Sequence, residues 1–160
     1  MRRTDRENST EEFYDLVFAH AEEIFLAMND GVYPYGVILN FVRKDKIIYL
    51  HSAKNGEKLD CLRKNGHVAF CLACNIRIDQ EKSSTYYKSV YGKGLASIVE
   101  DAAEKRHALE LLAIRYNAKC PVPATDAMAD RVAIIKIVIE ELSGKACLPE
   151  GQGSPKTVTS

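Results

Sequence analysis

The sequence predicts a mainly β fold with flanking helices, built as one small closed antiparallel sheet. Three observations predict it. Roughly five or six runs of β-branched and aromatic residues recur between turn signals. One long helical pattern stands in the middle of the chain and another near its start. The strands do not alternate regularly with long helices, so a doubly wound parallel sheet is excluded.

Taken in order, Thr4 to Thr10 is polar, and Ser9 with Glu12 forms a capping box that starts a helix near Thr10. Phe13, Leu16, Val17, Ile24, Phe25 and Met28 line its inner side, and Asn29-Asp30-Gly31 ends it, unless the helix breaks near His20 into a second piece. A strand at 35–42 and another at 46–51 flank the polar turn Arg43-Lys44-Asp45-Lys46 as a hairpin. Leu59 and Leu62 fall three apart in a short helix at 57–64, closed by Asn65-Gly66. The strand at 67–74 is apolar on both faces. Residues 75–84 are a connection or an extended hairpin, and a long strand follows from 86 to 100, bent at Gly92 and Gly94. Asp101 and Glu104 open a helix over 102–117. Cys120-Pro121-Val122-Pro123 is a rigid connector, and a helical turn fits at 125–129. The clearest strand, at 131–140, again crowds apolar residues on both faces. The chain divides into a domain over 1–149 and a Gly/Ser/Pro/Thr-rich tail over 150–160.

The chain has 160 residues, 46% apolar and 28% charged, with 22 basic against 22 acidic side chains. A net charge of zero gives no field to attract nucleic acid or a membrane surface. No run approaches the ~20 apolar residues that span a bilayer, and MRRTDREN lacks the apolar core of a secretory signal. The cytoplasm is the expected compartment. Cys61, Cys71, Cys74, Cys120 and Cys147 are expected to be reduced thiols. Cys71 and Cys74 form a CxxC within a strand, where positions three apart point to opposite faces. They read as small buried residues, and no metal site is expected.

The chemistry concentrates in IIYLHSAKNGEKLDCLRK, from Ile47 to Lys64. His51, Ser52, the Asn55-Gly56 turn and Lys58 gather where a strand gives way to a helix. Turn amides, a helix start and a lysine can together hold an anion. Alternatively His51 and Ser52 are ordinary strand-end residues and Lys58 a solvated charge. Asn40 likewise is either an outer-face polar residue or a hydrogen-bonding group aimed at a ligand. His20 has no companion and reads as a surface or core histidine.

Four short pieces carry a family resemblance: MRRTDRE, Pro34-Tyr35 followed by Asn40-Phe41, IYLHSAKNGEKLDCLRKN, and YYKSVYGKG. In this order the chain resembles the flavin-binding split β-barrels related to pyridoxamine 5′-phosphate oxidase, specifically the nitroimidazole-resistance branch, over about residues 1–144. Two departures are apolar. Val37-Ile38-Leu39 stands where relatives often carry a proline, and Leu50 where they carry phenylalanine before the histidine. Both preserve the barrel while altering the substrate pocket.

The resemblance implies an FMN-binding split β-barrel and a homodimer with the flavin between subunits. It places Val37, Ile38, Leu39 and Asn40 along the flavin ring, and His51, Ser52, Ala53 and Lys58 near its phosphate or adjacent edge. Ser89 and Val90 complete the site, from the same or the neighbouring subunit. His51 is the candidate for proton delivery or substrate positioning. The activity implied is an FMN-dependent oxidoreductase that passes reducing equivalents from a nicotinamide or small organic donor to a nitroaromatic (5-nitroimidazole-like) or other small oxidised substrate. The alternatives are a non-catalytic flavin-binding or sensing protein, a pyridoxamine 5′-phosphate oxidase-like enzyme, and a haem-binding relative.

Overall fold

The structure, a computed structural model, describes residues 4–29, 31–119 and 122–149. The expected tail, the first residues of MRRTDRE, Asp30, and Cys120-Pro121 of the connector lie outside them. Helix α1 spans Glu11–His20. Its cap is Thr10, whose hydroxyl accepts from the Phe13 amide at 3.2 Å, one residue beyond the expected Ser9. The helix does not continue to residue 28. Ile24, Leu26 and Met28 are buried while Phe25 and Asn29 are exposed, a period of two that suits a strand, and β1 occupies Ile24–Asn29.

Strand β1 pairs antiparallel with β2, Pro34–Leu39, and this pairing divides the strand expected at 35–42. β3, Phe41–Lys44, pairs instead with β4, Ile47–Ser52, around a tight turn with Asp45 at φ 55°. Asn40 sits at the change of partner. Helix α2, Glu57–Lys64, stands where the leucine spacing puts it. Strand β5, His67–Asp79, runs past its expected end and returns through a hairpin into β6, Ser84–Ile98. Helix α3, Ala102–Arg115, begins at Asp101, whose carboxylate accepts from the Glu104 amide at 2.7 Å. α4, Asp126–Ala129, is capped by Thr125. The last strand, β7, Ala133–Cys147, is also longer than expected. The sheet has seven strands in the order β2-β1-β5-β6-β7-β4-β3. No described helix is long and apolar enough to cross a membrane.

The chain packs as two compact units. One comprises residues up to Glu22, Cys71–Tyr91 and Leu142 onward; the other comprises Glu23–Phe70 and Gly92–Glu141. In the first, α1 buries Phe13, Tyr14, Val17 and Phe18. A Cβ at Gly144 would strike the Asn8 carbonyl and the Phe13 ring, so only glycine lets β7 approach this closely. Cys71 and Ala73 face outward by regular alternation with buried Val68, Phe70, Leu72 and Cys74, and beyond Asn75, at φ 55°, Ile76 and Ile78 are exposed as well. Cys71 is therefore not the buried residue expected, although Cys74 is.

In the second unit, the two apolar faces of β7 have different covers. Ile135 and Ile137 are fully buried on the face shared with Ile48 and Leu50 of β4. Ile134 packs on the opposite face with Val42, Tyr49, Val99, Ala108 and Leu112, beneath α3. A polar clamp ties that helix to the sheet. Glu104 Oε1 accepts from the Tyr49 hydroxyl and from Lys136 Nζ, each at 2.7 Å, and Tyr49 and Lys136 are register partners across β4 and β7.

The hydrogen bond from Lys136, then that from Tyr49, holds the Glu104 carboxyl below the usual carboxylate range. Burial and the Glu104 bond push the Tyr49 phenol up to about 12. A depressed carboxyl pKa contributes stability above its unfolded value, about 4.3, and loses it as pH falls through the lower folded value. Glu104→Gln is expected to cost about 1–2 kcal/mol near neutrality. In denaturant titrations the gap between wild type and variant should hold constant above the unfolded carboxylate value and close as pH falls below it, through the lower folded value.

Candidate functional site

Alternation along β4 divides the sequence's candidate residues between two faces. Ile48, Leu50 and Ser52 oppose Ile137, Ile135 and Ala133 of β7; Ile47, Tyr49 and His51 oppose Val138, Lys136 and Ile134. Tyr49 and Ile134 belong to the core under α3, so His51 shares the helix-covered face, and Ser52 turns the other way. His51 and Ser52 are neighbours in sequence but not in direction.

On the Ser52 side the structure brings Ser52, Lys58 and the start of a helix together. Ser52 is buried, and its hydroxyl donates to the Ala53 carbonyl at 3.1 Å while accepting from Lys58 Nζ at 2.8 Å. Lys58 lies on the first turn of α2, half-buried, and burial lowers its pKa from the ordinary lysine value. An ammonium withdrawn from water beside a neutral hydroxyl favours an anionic ligand. Gly56 begins the helix at φ 127°, a conformation costly for any other residue, and no side chain caps that end. A Cβ there would meet nothing within 4 Å, so the space before the helix is open. Tyr35 of β2 stands close enough to α2 for Glu57 and Cys61 to add to burial in raising its phenol pKa.

On the His51 side lies a pocket of about 190 Å³ lined by Asn40, His51, Leu109, Leu112, Ala113, Tyr116, Ala118 and Met128. The end of α3 shapes it. Asn117 takes a left-handed conformation at φ 47°, and the Ala118 amide donates back to the Ala113 carbonyl at 2.9 Å, turning Ala118 toward the pocket. The Tyr116 hydroxyl accepts from the Phe41 amide at 3.0 Å and occupies a donor of the edge strand β3. α4 brings Met128 in, held by an Arg106–Asp126 ion pair and by Glu110, which accepts from the Ala124 amide at 2.9 Å.

The structure thus joins Ser52 with Lys58, and Asn40 with His51. Ala53 follows Ser52 and is exposed. Along β2, Val37 and Leu39 are half-buried while Ile38 is 63% exposed. Ser89 and Val90 belong to the other unit, where Ser89 Oγ contacts the Lys145 carbonyl at 3.4 Å and the Val90 side chain is buried in the core. Leu50 does not line the pocket; alternation sends it into the core, fully buried. The helix expected over 102–117 contains Leu109, Leu112, Ala113 and Tyr116, but nothing in the sequence shows that this part of it leaves a gap. For Ala118 and Met128 the sequence carries no signal. Among the described residues, no cluster of three or more His, Cys, Asp or Glu side chains could hold a metal ion.

Tyr116→Phe is expected to leave the Phe41 amide without its acceptor and to cost about 1 kcal/mol. Hydrogen exchange should show faster exchange at Phe41 and unchanged rates at β1.

The family described as pyridoxamine 5′-phosphate oxidase matches residues 10–146. No curated protein matches the chain. Among solved structures, a proposed 5-nitroimidazole antibiotic resistance protein from Bacteroides thetaiotaomicron is 24% identical, with 88% of this chain and 86% of that one covered and a TM-score of 0.77. A flavocytochrome from Azotobacter vinelandii is 15% identical over 93% of this chain and 72% of its own, also at 0.77. An FAD- and haem-binding protein from Mycobacterium smegmatis is 18% identical over 94% and 76%, at 0.76. These likenesses establish the fold, the split barrel of flavin-binding proteins.

Proposed function

This chain belongs to the pyridoxamine 5′-phosphate oxidase family, and from that premise we propose that it is an FMN-dependent oxidoreductase acting on nitroaromatic or other small oxidised substrates. The observation that carries the reading is the Lys58–Ser52 pair in front of an uncapped helix start. A phosphate needs a cation, a hydroxyl and amide donors, and all three stand together there. Val37, Ile38, Leu39 and Asn40 would supply the apolar wall and polar edge for the flavin ring. Bound FMN would carry electrons from a nicotinamide donor to the substrate.

The protein's own part is to bind, orient and move a proton. His51 would deliver a proton from an imidazole nitrogen to a substrate oxygen that gains electron density. Asn40, beside it in the pocket, would orient that oxygen by hydrogen bonding. A second copy of the chain would complete the site. Cys71, Ala73, Ile76, Ile78 and Tyr91 are exposed on the first unit, an apolar set that a partner would cover. Ser89, on the same strand as Tyr91, would reach the partner's flavin.

Lys58→Ala is expected to weaken FMN by roughly tenfold to a hundredfold while barely changing riboflavin, which lacks the phosphate. Because burial lowers the Lys58 pKa, FMN affinity in the wild type should begin to fall below the ordinary lysine value of 10.5 as the ammonium deprotonates. Equal losses of FMN and riboflavin would remove Lys58 from the phosphate site. His51→Ala should retain flavin and slow single-turnover reoxidation by a nitroaromatic; unchanged reoxidation would leave His51 as architecture. Sedimentation at several concentrations should give a species of twice the chain mass, and a persistent monomer that binds FMN would defeat the dimer.

A further inference from the structure

We infer that the pocket between α3, α4 and the end of β4 is a binding site for a neutral single-ring compound, and that Ala118 and Met128 set the size it admits. Apart from Asn40 and His51 its lining is Leu109, Leu112, Ala113, Tyr116, Ala118 and Met128, with no Lys, Arg, Asp or Glu. Leu112 and Ala113 are buried; Asn40, His51 and Ala118 are exposed and form the mouth. A cavity of about 150 Å³ lined by apolar side chains takes benzene, so about 190 Å³ accommodates one ring with a small substituent.

Polarity fixes the orientation. The floor offers apolar carbon, so the ring goes inward. The hydrogen-bonding groups of Asn40 and His51 lie together at the mouth, so an oxygen substituent on the ring stops there. A carboxylate or phosphate on the buried end would lose its hydration without meeting a cation. Pyridoxamine 5′-phosphate, a phosphate ester, is thereby a poor occupant of this pocket. The phosphate-binding features of the molecule lie instead on the Ser52 face of β4.

The size limit comes from two short pieces of backbone. The left-handed Asn117 and the Ala118-to-Ala113 hydrogen bond hold Ala118 at the mouth, where a larger side chain would fill the opening. Met128 closes the far side from α4, which the Arg106–Asp126 pair and Glu110 tie back to α3.

The inference rests on the proposed function only for the redox role of the ring compound; occupancy of the pocket is a separate measurement. Purified protein, with and without added FMN, is titrated calorimetrically with nitrobenzene and with 4-nitrobenzoate, and FMN affinity is measured in parallel. Nitrobenzene should saturate one site per chain and bind roughly tenfold or more tightly than the carboxylate. Ala118→Phe should weaken nitrobenzene roughly tenfold and leave FMN affinity unchanged. Met128→Ala, which needs no added bulk to be accommodated, should gain binding of the two-ring 1-nitronaphthalene. Equal affinity for the neutral and charged rings, or no response to either substitution, would overturn the inference. Failure to bind FMN with nitrobenzene binding intact would overturn the proposed function and leave the pocket standing.

Discussion

A strand cannot point two consecutive side chains the same way, and β4 places that constraint where the chemistry is. Its register with β7 sets His51 opposite Ile134 and Ser52 opposite Ala133. A slip of one residue would exchange the two faces. Ser52 would then lose its access to Lys58, and His51 would enter the core. The fully buried Ile48 and Leu50, paired with Ile137 and Ile135, make such a slip costly because it would exchange them with Tyr49 and His51, side chains of different size and polarity that do not fit the space they leave.

The second requirement is that α3 stay on the face carrying His51. Apolar packing under Ala108 and Leu112 supplies contact area, but it is non-directional. Glu104 adds direction, because its carboxylate accepts from Tyr49 and Lys136 across adjacent strands and so fixes where the helix lies over them. The pocket wall is the next part of the same helix. Its far end is fixed through Tyr116, whose hydroxyl takes the Phe41 amide. Fold stability and pocket shape therefore share residues on α3, while the Ser52–Lys58 pair draws on α2 and the end of β4.

Much of this was legible in the sequence where local chemistry and tertiary structure agree. Leu59 and Leu62 located α2, Asp101 its carboxylate cap on α3, and Asn55-Gly56 the turn whose glycine takes a positive φ. The Ser52–Lys58 association followed from their spacing across a strand end. The errors arose where a short apolar run serves either period. Ile24, Phe25 and Met28 fitted a helix face well enough, and only pairing with β2 decided for a strand. The run at 35–42 concealed a change of strand partner at Asn40. His51 and Ser52 looked like one cluster because sequence proximity was read without the strand's alternation. The pocket was illegible for another reason: a gap on an apolar helix face depends on what fails to fill it, and Ala118 and Met128 arrive from turns with no distinctive pattern.

The most direct test of the account is the anaerobic visible spectrum of the purified protein loaded with FMN, followed through addition of a nicotinamide donor and then a nitroaromatic. The account predicts the two-banded spectrum of oxidised flavin, its bleaching by the donor, and its recovery in proportion to the nitro compound added. A single intense haem band, or bound flavin that no donor bleaches, would contradict it.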